Sequence, residues 1–122
     1  MITVSDKDYA CIQAMKGIKY DENKARLDLV PKEAMDALGA VLSYGSRKYG
    51  DRNWEKGMAW GRVYAACQRH LLAFWAGEDI DPESGLPHLA HALANISFLS
   101  TYQTRGIGED TRPRPLQSET AK

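Results

Sequence analysis

Two histidines and an asparagine, His88, His91 and Asn95, lie in a segment that reads as helix, Pro87-His88-Leu89-Ala90-His91-Ala92-Leu93-Ala94-Asn95. Helical positions i, i+3 and i+7 share one stripe, so the two imidazoles and the carboxamide project together. Phe98 and Leu99 flank that arc and turn it inward. The third histidine, His70, sits among Val63, Cys67 and Phe74 on the apolar arc of the preceding segment and should also point inward. An acidic loop, Gly77-Glu78-Asp79-Ile80-Asp81-Pro82-Glu83-Ser84-Gly85, runs straight into the histidine helix. Burying polar groups costs roughly 1–3 kcal/mol each unless they find partners. A cluster like this needs a reason, and a metal or phosphate site is one.

Each group also has a purely structural reading. A histidine on an inner arc is often satisfied by backbone or by a carboxylate. The histidine pair is three residues apart with no glutamate between, so it is not His-Glu-x-x-His. Asp79, Asp81 and Glu83 imitate the start of an EF-hand loop, but Gly85 falls at the seventh position and Ala90 at the twelfth, which excludes calcium of that type. Asp81, Glu83 and Ser84 equally suit a turn or a helix cap. Glu33 and Asp36 form a Glu-x-x-Asp pair in the first turn of a helix, where the dipole alone favours negative charge. Lys24, Arg26, Arg47, Lys48 and Arg52 bracket that helix, and could neutralise a polyphosphate or simply stay solvated. Tyr49 and Trp54 could stack on a base or anchor a loop.

These residues must be carried by a small chain. It has 122 residues, enough for one domain with a modest core. Sixteen basic and 16 acidic residues give a net charge of zero, which argues against bulk capture of nucleic acid or an anionic membrane. No apolar run approaches the ~20 residues of a membrane span, and the first residues lack the pattern of a secretory signal. A cytoplasmic protein is expected. Cys11 and Cys67 fit no metal spacing and no disulfide framework; Cys67 reads as a small core residue.

Periodicity places three helices. The first starts at Pro31, carries Met35, Leu38, Val41 and Leu42 at helical spacing and ends near Gly45 or Lys48. The second runs from about Gly61 to Trp75, with Val63, Tyr64, Cys67, Leu71 and Phe74 inward. The third runs from Leu86 or Pro87 to about Gln103, with Leu89, Leu93, Ile96 and Leu99 as its main core face. A short helix around Asp6 to Met15 is a further candidate. The fold expected is all-α, a bundle of three to four helices in a single domain over residues 1–104, with a mobile tail over 105–122. So little helix leaves apolar surface over, and completion as a homo-oligomer is expected.

Several ordered motifs then match one family. They are Lys24-Ala25-Arg26-Leu27-Asp28-Leu29-Val30-Pro31-x-Glu33-Ala34, Tyr44-Gly45-x-x-Lys48-Tyr49-Gly50-Asp51-Arg52-Asn53-Trp54, Arg69-His70-Leu71, and the acidic loop running into His88, His91 and Asn95. The chain resembles the dATP/dGTP diphosphohydrolase N-terminal domain family, common in bacteriophages, over about Gly17 to Tyr102. The resemblance implies hydrolysis of a purine deoxynucleoside triphosphate to monophosphate and pyrophosphate, in the host cytoplasm if phage-encoded. It also implies a helical fold similar to MazG-type pyrophosphatases, which hold magnesium on Glu-x-x-Glu and Glu-x-x-Asp pairs. Here His88-x-x-His91 and Arg69-His70 stand in those places. Histidine ligands favour manganese, cobalt or zinc over magnesium. The expected metal set is His70, Glu78, Asp81, Glu83, His88 and His91, with His70, Glu78, His88 and His91 also the candidate catalytic groups. Lys24, Arg26, Lys48 and Arg69 would contact phosphates. Glu33, Tyr49, Asn53, Trp54 and Asn95 complete the expected substrate-binding set. The alternative is a catalytically silent helical module that binds a nucleotide or a protein. A His-Asp phosphohydrolase is excluded, because no histidine is followed by aspartate.

Overall fold

A computed structural model describes residues 17–20 and 22–114. Three α-helices follow one another: α1 (Lys32–Tyr49), α2 (Trp60–Trp75) and α3 (His88–Arg105), with 3-10 turns at Leu27–Leu29 and Asn53–Lys56. The only β-type pairing among the described residues is two isolated bridges, Ala59 with Glu109 and Ile80 with Pro87. The all-α fold expected from periodicity is the fold observed. The candidate helix at Asp6–Met15 lies outside the described residues.

Local chemistry explains the boundaries. Pro31 and Pro87 stand immediately before α1 and α3 in extended conformation (φ −66° and −58°). Proline has no N–H to leave unpaired there. At the end of α2, the Gly77 N–H donates to the Phe74 carbonyl and the Glu78 N–H to the Ala73 carbonyl, with Gly77 at φ +104°. These two bonds make a Schellman cap, which needs a left-handed residue at its bend. The cap delivers Glu78, the first acid of the loop, directly beside the helix end.

The helices pack around α3. On one side Ala90 and Ala94 meet Val41, with Ala37, Leu38, Leu86 and Phe98 around them. On the other side buried Cys67 donates weakly from Sγ to the Ala92 carbonyl at 3.7 Å. Small side chains on two sides of α3 let both neighbours come close. Helices α1 and α2 each pack on α3 but not on each other. The two stand apart on α3, and the side of α3 between them is the floor of a cleft.

This arrangement corrects the expected core face of α3. Leu89 and Ile96 are 46% and 53% exposed, whereas Ala90, Ala92, Ala94, Tyr102 and His88 are buried. A central helix clasped from two sides needs small contact residues, and the large aliphatics fall on the uncovered side. Tyr64 of α2, expected inward, is exposed too.

The segment after α3 is also placed differently from the free tail expected from residue 105. Residues 107–114 return to the start of α2. The Trp60 N–H donates to the Glu109 carbonyl at 2.9 Å and the Gly61 N–H to Thr111 Oγ1 at 2.9 Å. The first turn of α2 is thus capped by a distant part of the chain, since Ala59 has no capping side chain. The Trp60 indole N–H donates to the Ile107 carbonyl at 3.0 Å, and the Arg112 guanidinium lies over that indole.

Candidate active site

The gap between α1 and α2 holds a cavity of about 1280 Å³. Its floor is the α3 stripe of His91, Ala94, Asn95 and Phe98; its walls carry Tyr44 and Lys48 of α1 and Arg62, Arg69 and His70 of α2. Trp54 closes one end. Its indole stacks on Phe98 at 4.8 Å and 20°, and its carbonyl accepts the hydroxyl of fully buried Tyr102 at 2.6 Å. The acidic loop closes the other end.

That loop is bound to the start of α3. The Asp81 N–H donates to the Leu86 carbonyl at 2.8 Å and the His88 N–H to the Asp79 carbonyl at 2.9 Å. The loop carboxylates are thereby held against the histidines in two separate groups. In the first, His88 Nε2 lies 2.6 Å from Glu78 Oε1 and His88 Nδ1 lies 2.9 Å from His70 Nδ1. In the second, Asp81 Oδ2 accepts the Ser84 N–H at 3.2 Å and the Ser84 hydroxyl at 2.8 Å, while Ser84 Oγ lies 2.6 Å from His91 Nε2. The hydroxyl is committed to Asp81, so His91 donates from Nε2 to Ser84. The two groups meet where His70 stacks on His91, centroids 4.5 Å apart.

Burial sets the charge states. It lowers the pKa of His70, further lowered by neighbouring His91, and it lowers that of His91 against the pull of Asp81. Both rings favour the neutral form. Burial would raise Asp81, but the bonds from Ser84 and from the Ser84 and Glu83 backbone hold it below the usual carboxylate range. Burial raises the Cys67 thiol, consistent with a core role. Lys48 is shifted upward by its 3.0 Å bond to Glu83, which ties α1 to the acidic loop across one end of the cleft.

Of the residues singled out by sequence, His70, Asp81, Glu83, His88, His91, Lys48, Tyr49, Asn53, Trp54, Arg69 and Asn95 all line the cavity. Glu78 stands behind His88 and touches the cleft through it. Lys24 and Arg26 lie instead at a separate small depression, where Arg26 is held in a two-point pair by Asp28 at 2.8 and 2.9 Å. Glu33 is exposed in the first turn of α1, outside the cavity. Sequence reasoning missed Arg62 and Tyr44. Arg62 precedes Arg69 by seven residues, which puts both on one stripe of α2; that spacing was the available signal. Neither guanidinium forms a hydrogen bond or ion pair among the described residues, although both arginines line the cleft.

The expected six-donor metal set does not assemble. Among the described residues, no three of His, Cys, Asp and Glu are placed to share a cation. Glu78, His88 and His70 are satisfied by one another, Asp81 and His91 by Ser84, and Glu83 by Lys48. Each of these donors has a hydrogen-bonding or ion-pair partner in the structure.

The chain matches the family described as dATP/dGTP diphosphohydrolase, N-terminal, over residues 14–112. It belongs to that family. A protein of Salmonella phage PMBT28 named dATP/dGTP diphosphohydrolase is 39% identical over 85 residues. The match takes in 70% of this chain and 29% of that relative, so the chain spans less than a third of its length. No solved structure matches the family member described here. None of its described helices is long and apolar enough to cross a membrane.

Proposed function

We propose that the cleft binds a purine deoxynucleoside triphosphate and hydrolyses it between the α and β phosphates. Water adds to the α phosphorus, the bond to the bridging oxygen breaks, and the products are deoxynucleoside monophosphate and pyrophosphate. The observation that carries this reading is the pairing of two uncommitted arginines, Arg62 and Arg69, with a neutral imidazole, His70, in one cleft. The arginines supply forked donors for phosphate oxygens. A neutral imidazole can accept the proton that water gives up. The name of the phage relative supports the substrate class.

The divalent cation belongs to the substrate in this reading. Magnesium commonly stays with the phosphates and its own water, taking only one or two protein carboxylates. Tyr44, Tyr49 and Asn95 offer ring faces and a carboxamide to the nucleoside.

The test is incubation of the folded chain with dGTP and dATP and each of magnesium, manganese, cobalt and zinc, with products resolved by anion exchange. Monophosphate and pyrophosphate in equal amounts are expected; labelled water would place the new oxygen on the monophosphate. No monophosphate under any metal ends the enzymatic reading. The absence of a donor cage favours a second reading, a silent nucleotide-binding module, which predicts that dGTP raises the melting temperature without turnover.

A further inference from the structure

The described residues before α1, 17–20 and 22–30, form an arm whose apolar side chains are bare. Ile18, Tyr20, Leu27 and Leu29 are each more than two-thirds exposed, and Val30 is 43% exposed. The turn at Leu27–Leu29 satisfies its polar groups within itself. Arg26 is paired with Asp28, the Leu29 N–H donates to the Arg26 carbonyl at 3.0 Å and the Val30 N–H to the Leu27 carbonyl at 3.2 Å. It packs on none of the three helices. Among the described residues nothing covers its two leucines.

A second bare surface lies behind the cleft. Helices α2 and α3 touch where Cys67 meets Ala92. From these two residues the positions at i−4 and i+3 turn to one side: Val63, His70, His88 and Asn95, all lining the cleft. The positions at i−3 and i+4 turn to the other side: Tyr64, Leu71, Leu89 and Ile96. Trp75, one turn beyond Leu71, extends that side and is 86% exposed; Leu72 borders it. Apart from histidines, the charged residues of α2 are Arg62 and Arg69, both in the cleft, and that of α3 is Arg105, held by Glu55 at 3.5 Å. The face behind the cleft is therefore apolar and uncharged.

We infer that the arm of one copy docks on this face of a second copy, and that the exchange is reciprocal, so that a two-fold pair uses each bare surface twice. An uncharged face takes leucines and would leave a charged partner desolvated without compensation. Arg26 and Asp28 neutralise each other, so the turn brings no net charge to it. The arm and the face each expose roughly 600 Å² of large apolar side chains; covering half of both in a two-fold pair buries about 1200 Å², the lower bound for a stable interface. A single chain would carry two bare patches, each at the top of the range for a monomer. Residues 17 to 30 span at most ~50 Å, against ~27 Å for the 18 residues of α3. The arm is thus long enough to leave its own chain and lie along the partner's helices. Docking of this kind does not depend on the hydrolytic reading.

Sedimentation equilibrium on the full chain and on two double variants tests the exchange. The wild type is expected at twice 13.6 kDa. Leu27→Glu with Leu29→Glu removes the arm contact, and Leu89→Glu with Ile96→Glu removes the face; each variant alone is expected at the single-chain mass. All four side chains are about half exposed or more, so both variants should keep the helical circular dichroism of the wild type. The decisive sample is an equal mixture of the two variants. Each supplies what the other lacks, so one arm–face contact forms and the doubled mass returns. Its dissociation constant should exceed that of the wild type by roughly a hundredfold or more, since one of two linked contacts is gone. An arm variant that stays paired would mean face-to-face association and would overturn the exchange. A mixture that stays at the single-chain mass overturns it as well. So does a wild type at the single-chain mass at every concentration, the result expected if the arm covers its own chain.

Discussion

His70 and His91 lie face to face, ring centroids 4.5 Å apart and planes 9° from parallel, although they come from different helices. Two imidazoles in this contact resist being charged together. Burial lowers both pKa values; His88 adds to the effect on each, and Arg69 lowers His70 further. Asp81 pulls both the other way, and Glu83 does so for His91.

A pH dependence of stability follows. The unfolded chain takes up protons on these histidines near pH 6.5, while the folded chain refuses them until lower pH. Their contribution is complete above the unfolded value and is lost as pH falls through the depressed folded values. Thermal melts between pH 8 and pH 5 should show the melting temperature falling with acid. His91→Gln should make that fall shallower, because one proton-refusing group is gone. A wild-type melting temperature that rises on acidification across that range would contradict the assignment.

The two uncommitted arginines should act on substrate capture. Charged hydrogen bonds contribute about 1.5–3 kcal/mol, and a rim position takes the lower end. Arg62→Ala and Arg69→Ala are each expected to raise KM for dGTP roughly tenfold while leaving the circular dichroism spectrum unchanged. Arg26→Ala, which removes a residue already held by Asp28 away from the cleft, should leave KM as it is. Steady-state kinetics on the three variants checks this.

Ala94 is 1% exposed between α3 and Val41 of α1. Ala94→Leu forces extra methyl groups into that contact and should cost about 1–3 kcal/mol. For a domain of this size that lowers the melting temperature by roughly 4–8 °C per kcal/mol. Ile96→Ala, at a half-exposed site, should cost far less. Calorimetry of the two variants reads the difference.

The exposed apolar side of α3 bears on assembly. Leu89 and Ile96 on α3, with Tyr64, Leu72 and Trp75 on α2, leave large apolar side chains uncovered. Association with a second copy is the expected consequence. Sedimentation equilibrium should give a mass above 13.6 kDa. Leu89→Glu with Ile96→Glu should reduce it to the single-chain value. A monomer at all concentrations removes the expectation.

Local information was enough for the helices and for half of the site. Period 3.6, two prolines and the glycines after Trp75 and Arg105 determine where helices run, because those signals act within a few residues. The same period puts His91 and Asn95 on one stripe, and their place on the cleft floor was legible for that reason. What tertiary structure decided is everything that depends on which sides of α3 are taken. Clasping by α1 and α2 made its alanines the core and left Leu89 and Ile96 outside. The gap between those two helices made the cleft and brought Arg62 into it. The return of residues 107–114 to cap α2 depends on hydrogen bonds across some fifty positions, Gly61 to Thr111. Most of all, residue types alone admitted His70, His88 and Glu78 equally as metal ligands or as hydrogen-bond partners. Only the fold brought the three together, His88 within 2.6 Å of Glu78 and 2.9 Å of His70, because that contact joins the end of α2, the acidic loop and the start of α3.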